Sequence, residues 1–429
     1  MGNQMETNEW NIETKAVQGG YSPENGDPRV TPIVQSTTYK YDTCKGIADL
    51  FDLKVPGHMY SRISNPTVEV LENKMAALEG GVGALALSSG QSASTICILN
   101  ICEAGDHFVA LSTLYGGTFN LFKHTMKKMG IEVTFVDPEA PVDEVKKAFK
   151  PNTKLLFGES LSNPGTNVLD FDKFAAIAQA MEVPFIVDNT FPTPCLCRPL
   201  EHGANIVIHS TTKYSDGHAT SVGGVIVDGG SFNWANGKFP GLTEPDESYH
   251  GLSFVETFGN QAYIVKARVQ WIRDVGCYMT PQNAFLTNKG LETLHLRMER
   301  HSSNALALAE YLENHDKVSW VKYPMLKSDP NHALCKKYMK AGSGVLTFGL
   351  KGDRNAAETV MNSLKLAAIV VHVSDVRTGV LHPASMTHRQ LSEEDQLKAG
   401  VLPELVRVTV GIEHIDDIIA DFDQALGRL

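Results

Sequence analysis

In HSTTKY, residues 209–214, Ser210, Thr212 and Lys213 follow directly on the apolar run Ile206–Ile208. A lysine there is either one half of a surface ion pair or a partly buried amine. Burial disfavours the ammonium form and leaves a nucleophile. Other apolar runs end in polar groups too. ALAL (84–87) leads into SSGQSAS, where Gly90 permits a tight turn and Gln91 can open a helix. The first amides of a helix, with hydroxyls beside them, make an anion cradle or simply a capped helix start. FVAL (108–111) leads to Tyr115 in STLYGGT, an aromatic platform or a packed tyrosine before a glycine turn. FIV (185–187) leads to Asp188 in VDNTFPTP. A carboxylate closing a buried strand needs a partner, which a turn or helix start also supplies.

Each feature alone has such a plain structural explanation. Together they describe one ligand: a phosphate in a cradle of amides and hydroxyls, a ring nitrogen facing a carboxylate, a face to stack on, and an aldehyde for an amine. Pyridoxal phosphate has all four parts. The hydroxyls around Lys213 would then hold the phosphate beside the lysine that carries the cofactor.

The elements that must position these groups are legible from the same runs. ALAL, FVAL, VTFV, KLLFG, FIV, NIVI and GVIV, spread between residues 84 and 227, alternate with helix-like stretches. That pattern predicts an α/β fold with a seven-stranded, mostly parallel sheet covered on both faces, its ligands beyond the carboxyl ends of the strands. Residues 1–65, rich in Gly, Pro, Asn and Thr, read as an extended arm, and residues 66–285 as the sheet domain. Residues 228–254 read as loop, and residues 286–429 as a smaller C-terminal α+β domain. In that last part a long helical pattern (287–313) precedes VSWVKYP, GVLTFGL, a helix near 354–364, KLAAIVVHV, ELVRVTV and an amphipathic helix (414–428).

Composition excludes several classes. The 429 residues are 42% hydrophobic and 20% charged with a net charge of −11, ordinary for a soluble globular chain. No basic cluster offers a nucleic-acid face. No apolar run reaches the roughly 18 residues of a membrane span. Seven scattered cysteines, without paired CxxC spacing, predict buried thiols in a reducing cytoplasm rather than a disulfide framework or a metal site. The N-terminus lacks the regions of a signal peptide, and Glu6 stands where an acyl-anchor motif wants Ser or Thr. No GxGxxG follows the first strand, which argues against a nicotinamide-binding fold.

YSRISNPT (60–67), SSGQSA, LYGGT, ESLSNP (159–164), VDNTF, HSTTKY and HPASMTH (382–388) occur in that order. In these motifs, across nearly the whole chain, the sequence resembles the Cys/Met-metabolism pyridoxal-phosphate enzymes of aspartate aminotransferase-like fold (fold type I). The resemblance implies that Lys213 binds the cofactor, Asp188 pairs with its ring nitrogen and Tyr115 stacks on the ring. It implies that Gly90, Gln91, Ser210 and Thr212 hold the phosphate, and that Tyr60 and Arg62 reach the phosphate of a neighbouring subunit. Asn163 would lie near the ring oxygen and the substrate. Arg407, alone among apolar neighbours in LVRVTV, would clamp the substrate α-carboxylate; without the resemblance it reads equally as an edge-strand arginine in a salt bridge. Such enzymes act on small molecules as homotetramers built from dimers that share active sites.

The GKFPGLTEPDESYHGL segment, the chain length and Gly117 resemble the branch that replaces the γ-substituent of O-acetyl-L-homoserine with sulfide or a small thiol. Lys213 and Tyr115 would be its proton-handling residues. The alternatives are a methionine or cystathionine γ-lyase on the same scaffold, or a non-catalytic cofactor carrier. One departure stands out: His372 and Arg377 occupy positions where the lyases of the family commonly have Ser and Glu.

Overall fold

The computed structural model describes residues 9–387, 389 and 401–429. Seven strands form the large sheet: β1 (Gly83–Leu87), β2 (His107–Leu111), β3 (Glu132–Val136), β4 (Thr153–Glu159), β5 (Phe185–Asp188), β6 (Ile206–His209) and β7 (Gly224–Asp228), in the order β1-β7-β6-β5-β4-β2-β3. All seven expected runs are strands. The inner strands are mostly apolar because both faces are covered, whereas the edge strand β3 is only partly buried. Leu85, Leu87, Ile186, Ile206 and Ile208 pack into one hydrophobic cluster, and Ala84, Ala86, Val187 and Val207 into the other. Adjacent residues of one strand thus serve opposite cores.

The sheet is parallel except at β7, which runs antiparallel to both β1 and β6. Residues 210–223, between β6 and β7, contain no helix. A parallel return needs a helical crossover, so this short connection folds straight back. The turn carrying Lys213 is therefore pinned to the sheet edge from both sides.

A second sheet follows: β8 (Val318–Lys322), β9 (Val345–Leu350), β10 (Ala368–Ile369), β11 (Gly379–Leu381) and β12 (Leu405–Thr409), in the order β10-β11-β12-β9-β8. Helices Arg354–Ser363 and Ile415–Leu426 pack against it, as their periodicity predicts.

Three expectations need adjustment. The N-terminal arm contains helices Ile12–Gln18 and Cys44–Phe51; the first buries Ala16 in the same core as Leu71 and Met75 of helix Pro66–Glu79. The long helical pattern divides at Thr293 into helices Pro281–Glu292 and Leu294–Glu313. KLAAIVVHV keeps only a two-residue strand; the rest turns across the end of β12, where its backbone bonds to side chains of that strand. All seven cysteines are free, and Cys97 and Cys102 are buried. Among the described residues no helix is long and apolar enough to cross a membrane.

Candidate active site

The carboxyl ends of β1, β4, β5 and β6 meet at one edge of the large sheet, where a helix start, two carboxylates and a lysine converge. Ser89 caps helix Gly90–Leu99, its hydroxyl accepting from Ser92 N at 3.0 Å. Among the described residues, the amides of Gly90 and Gln91 and the hydroxyl of Ser210 have no hydrogen-bond partner. Gly90 is required here: a Cβ on it would lie 2.6 Å from Ser210 Cβ. The segments that follow β1 and β6 meet beyond the end of β7 in a small cup of free amides and a hydroxyl, which suits a phosphate. Gln91 Nε2 donates to Thr118 Oγ1 at 3.2 Å, and Thr212 Oγ1 is engaged with the backbone of Gly223.

Asp188 satisfies both readings of its position. Oδ1 accepts from Thr190 N at 3.0 Å and from Thr190 Oγ1 at 2.5 Å, which closes a turn. Thr190 Oγ1 in turn accepts from Ser210 N at 2.9 Å, tying the turn to the phosphate cup. Among the described residues Oδ2 has no donor. Burial raises the Asp188 pKa, while Thr190 and His209 pull it down.

A second carboxylate stands alongside. Glu159 pairs in register with Asp188 on the neighbouring strand and is buried. Burial, then Asp188, push it well above the carboxylate range; the amides of Tyr115 and Asn163 partly offset this. The Tyr115 amide reaches Glu159 Oε1 at 2.7 Å, so a buried carboxyl fixes the start of the Tyr115 loop, whose ring is 47% exposed. With two carboxyls side by side, a cationic ring nitrogen opposite Asp188 is what would settle the charge there.

Lys213 is half-buried, as expected. Burial, then the charge of Arg407, lower its pKa to about 8 from an ordinary 10.5. Arg407 is 6% exposed and lies on β12 between β11 and β9, so it is not on an edge strand. Among the described residues it has no carboxylate partner. Nη1 donates to Asn163 Oδ1 and Nη2 to Val371 O, both at 3.3 Å, and the buried Nε donates to nothing. A buried guanidinium without a counter-ion costs several kcal/mol, and a carboxylate ligand would relieve it bidentately.

The fold thus gathers Gly90, Gln91, Tyr115, Asn163, Asp188, Ser210, Thr212, Lys213 and Arg407. Tyr60 and Arg62 are elsewhere: the Arg62 guanidinium lies 5.4 Å from the centre of the exposed Tyr60 ring, near Asp274. Within one chain no hydrogen bond or ion pair among the described residues joins them to the cleft. Arg377 is exposed and turned to Asp375, whereas His372 faces the cleft. Its Nε2 is buried without a partner, and burial followed by Lys213 and Arg407 keeps its pKa low. His388, the last residue of HPASMTH, lies outside the described residues. Sequence reasoning missed Glu159 and Thr190. A carboxylate closing the run KLLFG was the available signal for Glu159; the role of Thr190 depends on a bond across strands.

The comparisons with known proteins bear on the same features. The family model described as Cys/Met metabolism PLP-dependent enzyme matches residues 13–427. The chain belongs to this family. It is a pyridoxal-phosphate enzyme of fold type I. An O-acetyl-L-homoserine sulfhydrylase of Leptospira meyeri is 47% identical over 428 residues, covering 97% of both chains. A homocysteine synthase of Schizosaccharomyces pombe is 49% identical over 420 residues, covering 97% of this chain and 98% of the relative. Among solved structures, one assigned as an O-acetylhomoserine (thiol)-lyase of Campylobacter jejuni superposes with a TM-score of 0.94 at 37% identity, over 97% of this chain and 100% of that one. That structure carries N'-pyridoxyl-lysine-5'-monophosphate at one position.

Proposed function

We propose that this enzyme replaces the acetyl ester of O-acetyl-L-homoserine with sulfide, giving L-homocysteine and acetate. The observation that carries the reading is the buried Arg407 guanidinium, without a counter-ion among the described residues, facing a half-buried Lys213 in a cleft whose residues suit pyridoxal phosphate. Relatives near half identity over almost their whole length bear names for this activity.

Pyridoxal phosphate, bound by Lys213, supplies an electron sink for the substrate carbons. The chain's own residues do the rest. With the cofactor bound, Gly90, Gln91, Ser210 and Thr212 would hold its phosphate, and Asp188 would pair with its ring nitrogen through Oδ2. Tyr115, whose amide is held by Glu159, would stack on the ring. Arg407 and Asn163 orient the substrate carboxylate. Lys213, with its pKa lowered to about 8, holds a useful fraction of neutral amine near neutral pH. Nζ takes the proton from Cα and moves one at Cβ, while the Tyr115 hydroxyl serves the γ side. The Cγ–O bond breaks, acetate leaves with the electron pair, and a C–S bond forms in its place.

Tyr60 and Arg62, remote from their own cleft, serve the phosphate of a neighbouring subunit in this reading. The active unit is then a dimer at least, and the assembly a homotetramer in the cytoplasm. Residues 1–65, 66–285 and 286–429 act as arm, cofactor domain and C-terminal domain.

The test is a product assay with O-acetyl- and O-succinyl-homoserine, each with sulfide and with methanethiol. Homocysteine from the acetyl ester and sulfide is the expected outcome. Release of 2-oxobutyrate and ammonia from methionine or cystathionine, without homocysteine synthesis, would replace this reading by a γ-lyase. Light scattering of the eluted protein checks the assembly.

A further inference from the structure

Away from the cleft, a cavity of about 550 Å³ opens where helix Ile12–Gln18, the Pro194–His202 segment and residues 337–340 come together. None of the cleft residues lines it. Its most unusual wall group is Lys15, only 6% exposed. The Lys15 side chain makes no ion pair or hydrogen bond among the described residues, and burial, then Arg198, disfavour its charged form. Glu201, the nearer acid, is taken by Arg198 in a short ion pair. Glu13 lies on the rim, exposed. Lys340 adds an exposed ammonium, and its amide bonds to Leu196 O at 2.9 Å, fixing that wall. Lys337, also on the rim, is paired outward with Asp172 at 2.6 Å. The floor is apolar and aromatic: Leu78, Leu196 and Tyr338, with His202 edge-on to Tyr338 at 5.2 Å and Trp10 at the mouth.

The Lys15 stem is covered while its ammonium meets the cavity without an ion pair among the described residues, and a cation placed so is open to an anionic ligand. The cavity has the volume of a small-ligand site, one cation in its wall without an ion pair among the described residues, and rings along its side. We propose that it binds a small organic anion, with a phosphate or carboxylate head on Lys15 and Lys340 and a planar or apolar body between Trp10 and Tyr338.

Calorimetric titration of the holoenzyme with phenyl phosphate, phenylacetate and benzyl alcohol tests this. At least one of the two anions is expected to bind, and which one does identifies the head group; the neutral alcohol is expected to bind at least tenfold more weakly. Lys15→Met keeps the buried stem and removes the charge. It should weaken the anion at least tenfold and leave the turnover and the fold of the free enzyme unchanged. Failure of both anions to bind, equal binding of benzyl alcohol, or unchanged anion affinity in Lys15→Met overturns the proposal.

Discussion

On the large-sheet wall of the cleft, Asp188 Oδ1 takes two bonds from Thr190, Thr190 takes one from Ser210, and Glu159 takes one from Tyr115. On the opposite wall, among the described residues, Arg407 has two long bonds, to Asn163 and to a main-chain oxygen, with Nε idle, and His372 Nε2 has no partner. On the first wall the backing groups are bonded to one another, and the atoms left free among the described residues, the Gly90 and Gln91 amides, the Ser210 hydroxyl and Asp188 Oδ2, face a cofactor that stays bound. The second is left short of partners and faces a substrate that arrives and departs. Groups that must hold a fixed geometry are preorganised by neighbours. Groups that must prefer a ligand to water gain most when the protein leaves them unpaired. The unpaired wall carries the cost in stability until substrate binds.

The largest effect should come from the first wall. Lys213→Ala is expected to abolish turnover, by about 10⁴-fold or more since it removes more than one proton-transfer role. The visible absorption of the lysine-bound cofactor should go with it; a coloured, active variant would place the cofactor elsewhere. Arg407→Lys should sharpen the contrast. It keeps a charge but loses the fork, so KM for O-acetylhomoserine should rise roughly 10²-fold with the cofactor spectrum unchanged. An altered spectrum with normal KM would mean that the two walls are not separate in function.

Smaller effects follow where one wall meets the substrate space. In Gly117→Cys the new Cβ would fall 2.6 Å from Tyr115 Cε1. The ring must move off its position, and kcat should drop roughly tenfold. Steady-state rates at saturating sulfide measure this, and unchanged kcat would show that the ring position is unimportant. The smallest effect is thermodynamic. Glu159 has a folded-state pKa raised above its ordinary 4.5, so it costs stability as pH rises past 4.5 and costs nothing below it. Glu159→Gln keeps an acceptor for the Tyr115 amide and removes that cost. In cofactor-free protein its melting temperature should exceed the parent's by about 1–3 °C at pH 7–8, and the gain should vanish as pH falls towards 4.5.

The chain alone determined the strands of the large sheet and what stands at their ends. Continuous apolar runs of four or five residues are what a doubly covered parallel strand requires, and the residue after each run is local information. Gly90, Asp188 and Lys213 were legible for that reason. What only the tertiary structure decided spans long separations. Arg407 meets Asn163 across 244 positions, and Glu159 becomes a partner of Asp188 only through strand register. His372 reaches the cleft because KLAAIVVHV turns across β12 instead of forming a strand. The Lys15 stem is covered because an arm that reads as extended coils into a helix and docks. Periodicity and turn chemistry act over a few residues, whereas burial and the absence of a partner depend on which distant elements pack together.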